Sequence, residues 1–134
     1  MSDSDKKKVI MVVEDEPEVA DLYRELLETE GFEVEKILTG SVAMSRIKHM
    51  LSGGEEIPSV VVLDLILPDI SGLAILQAIR KEPVFDNTFI AIFTNYQSES
   101  LKDSVEQMPK VKYLAKVDTK PTQLIDVIRE NIGV

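Results

Sequence analysis

The feature that most restricts what this chain can fold into is a repeated switch of hydrophobic period. Val9-Ile10-Met11-Val12-Val13 is an unbroken apolar run of strand length, the pattern of a strand buried on both faces, as in a parallel sheet. Directly after it, over residues 17–30, Val19, Tyr23, Leu26 and Leu27 recur at helical spacing. Pro17 suits a first helical turn, where its missing N–H costs nothing, and Gly31 supplies the stop. The alternation then repeats. Strands are expected over residues 32–38, 59–63, 88–93 and 111–115, and helices over 41–51, 72–81, 98–108 and 121–132. Val34 and Ile37 sit among polar neighbours, as on an edge strand. The fourth helix is the weakest, marked only by Leu101, Val105 and Met108.

Five strands alternating with five helices imply an α/β domain whose parallel sheet carries helices on both faces. Right-handed crossovers and a length of 134 residues favour a flavodoxin-like (βα)5 three-layer sandwich with strand order 2-1-3-4-5. Residues 1–7 read as a disordered tail and 8–134 as one domain. Because the sequence stops at its fifth helix, no output domain is expected.

Composition narrows the function. Asp plus Glu number 24 against 15 Lys plus Arg, a formal charge of −9, which argues against direct nucleic-acid binding. No apolar stretch approaches the ~20 residues of a membrane span, and MSDSDKKK lacks the apolar core of a secretory signal. There is no cysteine, so disulfides and thiolate metal sites are excluded. The expectation is a cytoplasmic protein with no membrane partner. The acidity has a local source, since Glu14, Asp15, Glu16, Glu18 and Asp21 crowd together where the first strand ends. A charge run is ordinarily a solvated face, but a strand end in this fold is a special place.

Open parallel sheets bind ligands beyond the carboxyl ends of their strands, where the strand order reverses. Strand one ends in Glu14-Asp15, strand three in Asp64, strand four in Thr94 and strand five in Lys116. Carboxylates gathered there repel by about 4 kcal/mol per pair at ~4 Å with an effective dielectric near 20, so one protonates or a cation binds. A hard divalent ion, Mg²⁺ before others, fits all-oxygen donors and leaves room for a phosphate oxygen. Asp64 is then placed to attack phosphorus as a nucleophile needing no general base. Mg²⁺, Lys116 and the Thr94 hydroxyl would hold the phosphoryl oxygens. A lone strand-end Asp is more often a cap or turn residue; the conjunction at four strand ends carries the signal.

These segments resemble the receiver domain of two-component response regulators. The resemblance runs through Val-Val-Glu14-Asp15-Glu16, Val-Val-Val-Leu-Asp64-Leu-Ile-Leu-Pro68-Asp-Ile-Ser-Gly72-Leu, Ile92-Phe93-Thr94 and Tyr113-Leu114-Ala115-Lys116. It implies that Asp64 accepts a phosphoryl group from a sensor histidine kinase or phosphotransfer protein. It further implies that Asp15 binds Mg²⁺ directly (Mn²⁺ substituting) and Glu14 through water, with the Ile66 carbonyl completing the site. Lys116 and Thr94 would contact the phosphoryl group, and Tyr113 would turn inward when Thr94 moves. That motion would alter the face made by helix four, strand five and helix five, and so act on a protein target in trans or a phosphorylation-dependent homodimer. Such a domain catalyses its own phosphorylation and slow dephosphorylation, without independent turnover.

Three departures from the family pattern stand out. Val117, not proline, follows Lys116, and a second lysine, Lys120, precedes Pro121; the Tyr-Leu-x-Lys frame selects Lys116. Asn95 follows the threonine where a small residue is usual, and narrows access to Asp64. The 52–56 loop is longer than usual and far from the site. Ile66 and Tyr96, each two residues beyond a site residue, are expected to flank the phosphoryl group and to offer little to orient an attacking water, which implies slow self-dephosphorylation. His49, the only histidine, falls on the polar side of its helix and reads as a surface residue, and Met44 and Met50 as core filling. Rival readings are a receiver-like interaction module without phosphorylation and a Mg²⁺-dependent phosphatase. The phosphatase would need a second acid where Ile66 stands. A flavodoxin is disfavoured because Glu14-Asp15-Glu16 would repel a flavin phosphate.

Overall fold

A computed structural model of the chain describes residues 6–134. Residues 1–5 of the expected tail lie outside the described residues; Lys6 is exposed and reaches Glu56 at 3.4 Å. The elements are β1 (Val9–Val13), α1 (Pro17–Thr29), β2 (Glu33–Ile37), α2 (Gly40–Leu51), β3 (Val60–Leu63), α3 (Gly72–Arg80), β4 (Phe89–Thr94), α4 (Glu99–Glu106), β5 (Val111–Ala115) and α5 (Pro121–Ile132). Short 3-10 turns at Pro83–Phe85 and Lys116–Asp118 complete the chain. All neighbouring strands pair in parallel, in the order β2-β1-β3-β4-β5, as the alternation predicts.

Successive residues of a strand face opposite sides of the sheet, and both sides here are apolar. Met11, Val13, Val61, Leu63, Ile90 and Ile92 pack with Ala43, Ile47 and Met50 of α2, Ile75, Leu76 and Ile79 of α3, and Val105 of α4. Ile10, Val12, Val60, Val62, Phe89, Ala91 and Phe93 pack with Leu27 of α1 and Leu124, Ile125 and Ile128 of α5. The result is a three-layer sandwich in which β3, buried along its whole length, is the centre. Met50 fills the core and Met44 packs against it, while His49 is exposed, 3.5 Å from Glu55. Among the described residues no helix is long and apolar enough to cross a membrane.

Boundaries shift for local reasons. The Thr88 hydroxyl donates to the Pro58 carbonyl at 2.8 Å, and the fourth strand runs from Phe89 to Thr94, one residue later than its apolar run suggests. The fourth helix is shorter than residues 98–108, because Ser98 acts as its N-cap, accepting the Leu101 N–H at 3.2 Å. The edge strand loses Phe32 to the core, where it is 4% exposed. In the 52–56 loop, Gly53 and Gly54 take φ of +92° and +86°, a region that favours glycine. The Arg46 guanidinium then ties the loop down, reaching Glu55 at 3.0 Å while also pairing with Glu35.

Candidate functional site

Strand register builds the site. Val13 pairs with Leu63, so the next residues, Glu14 and Asp64, emerge side by side at the end of the sheet. Their backbones are fixed there, since Glu14 N–H donates to the Ile37 carbonyl at 3.0 Å and Asp64 N–H to the Val13 carbonyl at 3.1 Å. Thr94 pairs with Ala115 at the end of the β4–β5 ladder, and Lys116 is the next residue. A slip of one residue in either pairing would turn these side chains to the opposite face.

The carboxylate of Asp64, 8% exposed, is gripped at both oxygens. Oδ1 accepts the Thr94 hydroxyl at 2.7 Å and the Ile66 N–H at 3.1 Å; Oδ2 accepts the Lys116 ammonium at 2.8 Å. Lys116 also donates to Glu14 Oε1, and Glu14 Oε2 takes the Glu16 N–H at 3.1 Å. Burial pushes the Glu14 carboxyl above its ordinary range, more than Lys116 and the Glu16 amide pull it down. Burial also opposes the charge on Lys116, but the Asp64 and Glu14 carboxylates outweigh it and raise its pKa. The ammonium therefore stays charged, and it lies 5.9 Å from the centroid of the Phe93 ring, which is itself braced edge-on by Tyr23.

Glu14, Asp15 and Asp64 each offer a carboxylate oxygen within 4.8 Å of the others. An all-oxygen donor set of this charge, with Asp15 open to solvent beside two buried acids, fits a hard divalent cation such as Mg²⁺. The rest of the acidic run does not join it. Asp21 pairs with Lys36 at 2.6 Å, which lowers its pKa, and Glu16 and Glu18 are exposed. Ile66 and Tyr96 stand at the mouth, 58% and 46% exposed, with Asn95 also exposed. Lys120 is the N-cap of α5, outside the group that holds Asp64.

Tyr113 is turned inward, 8% exposed, with its hydroxyl donating to the Tyr96 carbonyl. Tyr96 N–H in turn reaches the Thr94 hydroxyl at 3.2 Å. A hydrogen-bonded path thus runs from Asp64 through Thr94 and Tyr96 to Tyr113, whose own N–H donates to Glu106 of α4 at 3.0 Å.

The structure explains Gly72, which the resemblance had already marked, and adds a role for Asp69. A Cβ on Gly72 would lie 2.1 Å from the Asp64 carbonyl oxygen and 2.6 Å from Leu65 Cα, so only glycine lets α3 start this close to the end of β3. Asp69 accepts the N–H groups of Gly40 and Ser41, each at 2.8 Å, and of Ile70 at 2.9 Å. The bonds from Ser41, with those from Gly40 and Ile70, hold its carboxyl far below the usual range. Offsets alone hint at Gly72; nothing in the sequence pairs Asp69 with residues nearly thirty positions earlier.

The family described as response regulator receiver domain matches residues 10–129. The phosphate regulon transcriptional regulatory protein PhoB of Rhizobium meliloti is 37% identical over 91 residues, which are 68% of this chain and 37% of that protein. A CheY-like response regulator receiver domain protein from Methanospirillum hungatei superposes with a TM-score of 0.78 at 25% identity, covering 96% of this chain and 95% of that one. The BeF3-activated N-terminal receiver domain of Klebsiella pneumoniae RstA gives 0.76 at 25% identity, covering 93% and 98%. The chain spans 37% and 30% of the length of the first two curated relatives it matches.

Proposed function

Because this chain belongs to the response regulator receiver domain family, we propose that it is a phosphoacceptor domain whose reactive group is the Asp64 carboxylate. The observation that carries the reading is the meeting of Glu14, Asp15, Asp64, Thr94 and Lys116 at the ends of four strands. Asp64 attacks the phosphorus of a histidine-bound phosphoryl group supplied by a sensor kinase or phosphotransfer protein. The new P–O bond forms as the P–N bond breaks, and the imidazole leaves and recovers its proton from solvent. Within Asp64, Oδ1 already accepts two hydrogen bonds and Oδ2 accepts one, so a lone pair of Oδ2 is the natural nucleophile. Lys116 and Thr94 move from the carboxylate to the incoming phosphoryl oxygens, where fixed donors stabilise the charge that spreads in the transition state.

Asp15 and Asp64, the Ile66 carbonyl, and Glu14 through water would hold Mg²⁺, with Mn²⁺ as a substitute; the ion supplies charge neutralisation for the phosphoryl oxygens. Transfer of Thr94 onto the phosphoryl group would break its bond to Asp64 and pull on Tyr96, Tyr113 and α4 in sequence. The readout is the face of α4, β5 and α5, presented to a target protein or to a second copy. We assign this activity to the cytoplasm, with no direct role for nucleic acid or membrane. Ile66 and Tyr96, exposed at the mouth and without an acid, amide or base to orient water, support a long-lived phosphorylated state.

Intact-mass measurement after treatment with acetyl phosphate tests the reading. One phosphoryl group should add to the wild-type chain in Mg²⁺, none in chelator, and none to Asp64→Asn. Equal labelling of the Asp64→Asn chain would refute it.

A further inference from the structure

The stretch that follows β3 bears the site, yet from Ile66 to Ser71 its residues are exposed or only partly covered. Its two ends and its middle are held differently. At the ends, Gly72 N–H donates to the Leu65 carbonyl at 2.9 Å, closing the stretch into a loop against the Asp64 backbone. In the middle, Asp69 reaches across to the start of α2 and accepts the Gly40 and Ser41 N–H groups. The approach is close on the other side too, since a Cβ on Gly40 would sit 2.7 Å from Ile70 Cβ and 2.8 Å from its carbonyl oxygen. Helix α2 is a firm anchor, seated by Ala43, Ile47 and Met50 in the core.

We propose that Asp69 is a positioning residue for the cation site, holding the Asp64–Ile66 backbone in its binding geometry by clamping the β3–α3 loop onto the first turn of α2. The inference rests on the phosphoacceptor reading, because it concerns the same acidic site. Its physical content is preorganisation: a loop already fixed against a rigid helix loses little freedom when a cation arrives, whereas a free loop must be ordered at the expense of affinity. The simpler account is that Asp69 only caps α2, whose first N–H groups need acceptors. The two accounts separate because α2 carries a second cap of its own, the Thr39 hydroxyl that accepts the Val42 N–H at 3.2 Å. The Thr39 hydroxyl hydrogen-bonds to Ser41 and Val42 of α2, so its loss weakens the start of the helix.

Amide NMR titrations with Mg²⁺, following residues 64–72, compare the wild type with Asp69→Ala, Gly40→Ala and Thr39→Ala. Loss of an outer partner of a metal site typically weakens binding on the order of tenfold, and that shift in midpoint is expected for Asp69→Ala. Gly40→Ala, which wedges the loop away from α2, should shift it in the same direction. Thr39→Ala should leave the midpoint where it is while lowering the melting temperature. In acetyl phosphate, the Asp69→Ala chain should regain the wild-type phosphorylation rate at saturating Mg²⁺. An unchanged midpoint in Asp69→Ala, or an equal shift in Thr39→Ala, overturns the proposal. A wild-type chain that bound no Mg²⁺ and took no phosphoryl group would overturn the phosphoacceptor reading instead.

Discussion

Gly72→Ala puts a single methyl group where the backbone of Asp64 already stands. The three atoms nearest an added Cβ are the Asp64 carbonyl oxygen at 2.1 Å, Leu65 Cα at 2.6 Å and the Asp64 carbonyl carbon at 2.9 Å. None belongs to a flexible side chain, so the contact can be relieved only by moving backbone. Carbon contacts are comfortable near ~3.5 Å, which sets the required displacement at ~1 Å or more. Either α3 backs away and loses its seat through Ile75, Leu76 and Ile79, or the Asp64–Leu65 peptide shifts along the strand end. Overpacking of this kind costs about 1–3 kcal/mol. The catalytic cost should be larger, because Asp64 is aligned by bonds of 2.7, 2.8 and 3.1 Å to Thr94, Lys116 and Ile66. A misplacement of about 1 Å at a reacting group lowers rates on the order of 100-fold. Time courses of acetyl phosphate labelling by intact mass, alongside thermal melts, measure both effects. Gly53→Ala is the control: at φ +92° it strains a loop remote from the site, costing about 1–2 kcal/mol with no change in labelling rate. If Gly72→Ala labels as fast as the wild type, the steric argument is wrong.

Three other outcomes are expected. Burial raises the Glu14 carboxyl above its ordinary value of 4.5, so the folded state holds that proton more tightly than the unfolded chain. Its contribution to stability is therefore complete below that value and is lost as pH rises through the folded pKa. Glu14→Gln should melt a few degrees above the wild type at neutral pH without Mg²⁺, and this advantage should vanish in acid; a lower melting temperature at neutral pH contradicts it. Ile66→Asn with Tyr96→Glu should shorten the phosphorylated lifetime roughly tenfold or more by orienting water, and an unchanged decay would refute the role proposed for these two side chains. Tyr113→Phe loses the bond to the Tyr96 carbonyl and should cost about 1 kcal/mol in urea unfolding.

The strands and the gathering of Glu14, Asp15, Asp64, Thr94 and Lys116 were legible because they follow from local periodicity plus one topological rule. Each strand-end residue is named by where an apolar run stops, and parallel pairing does the rest. Lys116 was separable from Lys120 by the same reasoning, since the first ends β5 and the second begins α5. What was not legible depends on contacts between segments without a period. The Asp69 clamp joins a loop to a helix start, and the Glu106–Tyr113 bond joins α4 to the free edge of β5. Neither leaves a mark in spacing or composition. The inward seat of Tyr113 likewise depends on a contact between segments, its hydroxyl meeting the Tyr96 carbonyl. The 3-10 turn at Lys116–Asp118 fell between two predicted elements, too short to impose a pattern of its own.

The 52–56 loop feeds the amino end of β3, while Asp64 leaves its carboxyl end, so the whole length of the central strand separates them. That separation makes the loop a place where the polypeptide can be cut and rejoined. New termini opened between Gly53 and Gly54, with the old ones bridged by a flexible linker, would leave every strand pairing intact. A reporter grafted there would ride at the far pole of the domain without shading the Asp64 carboxylate.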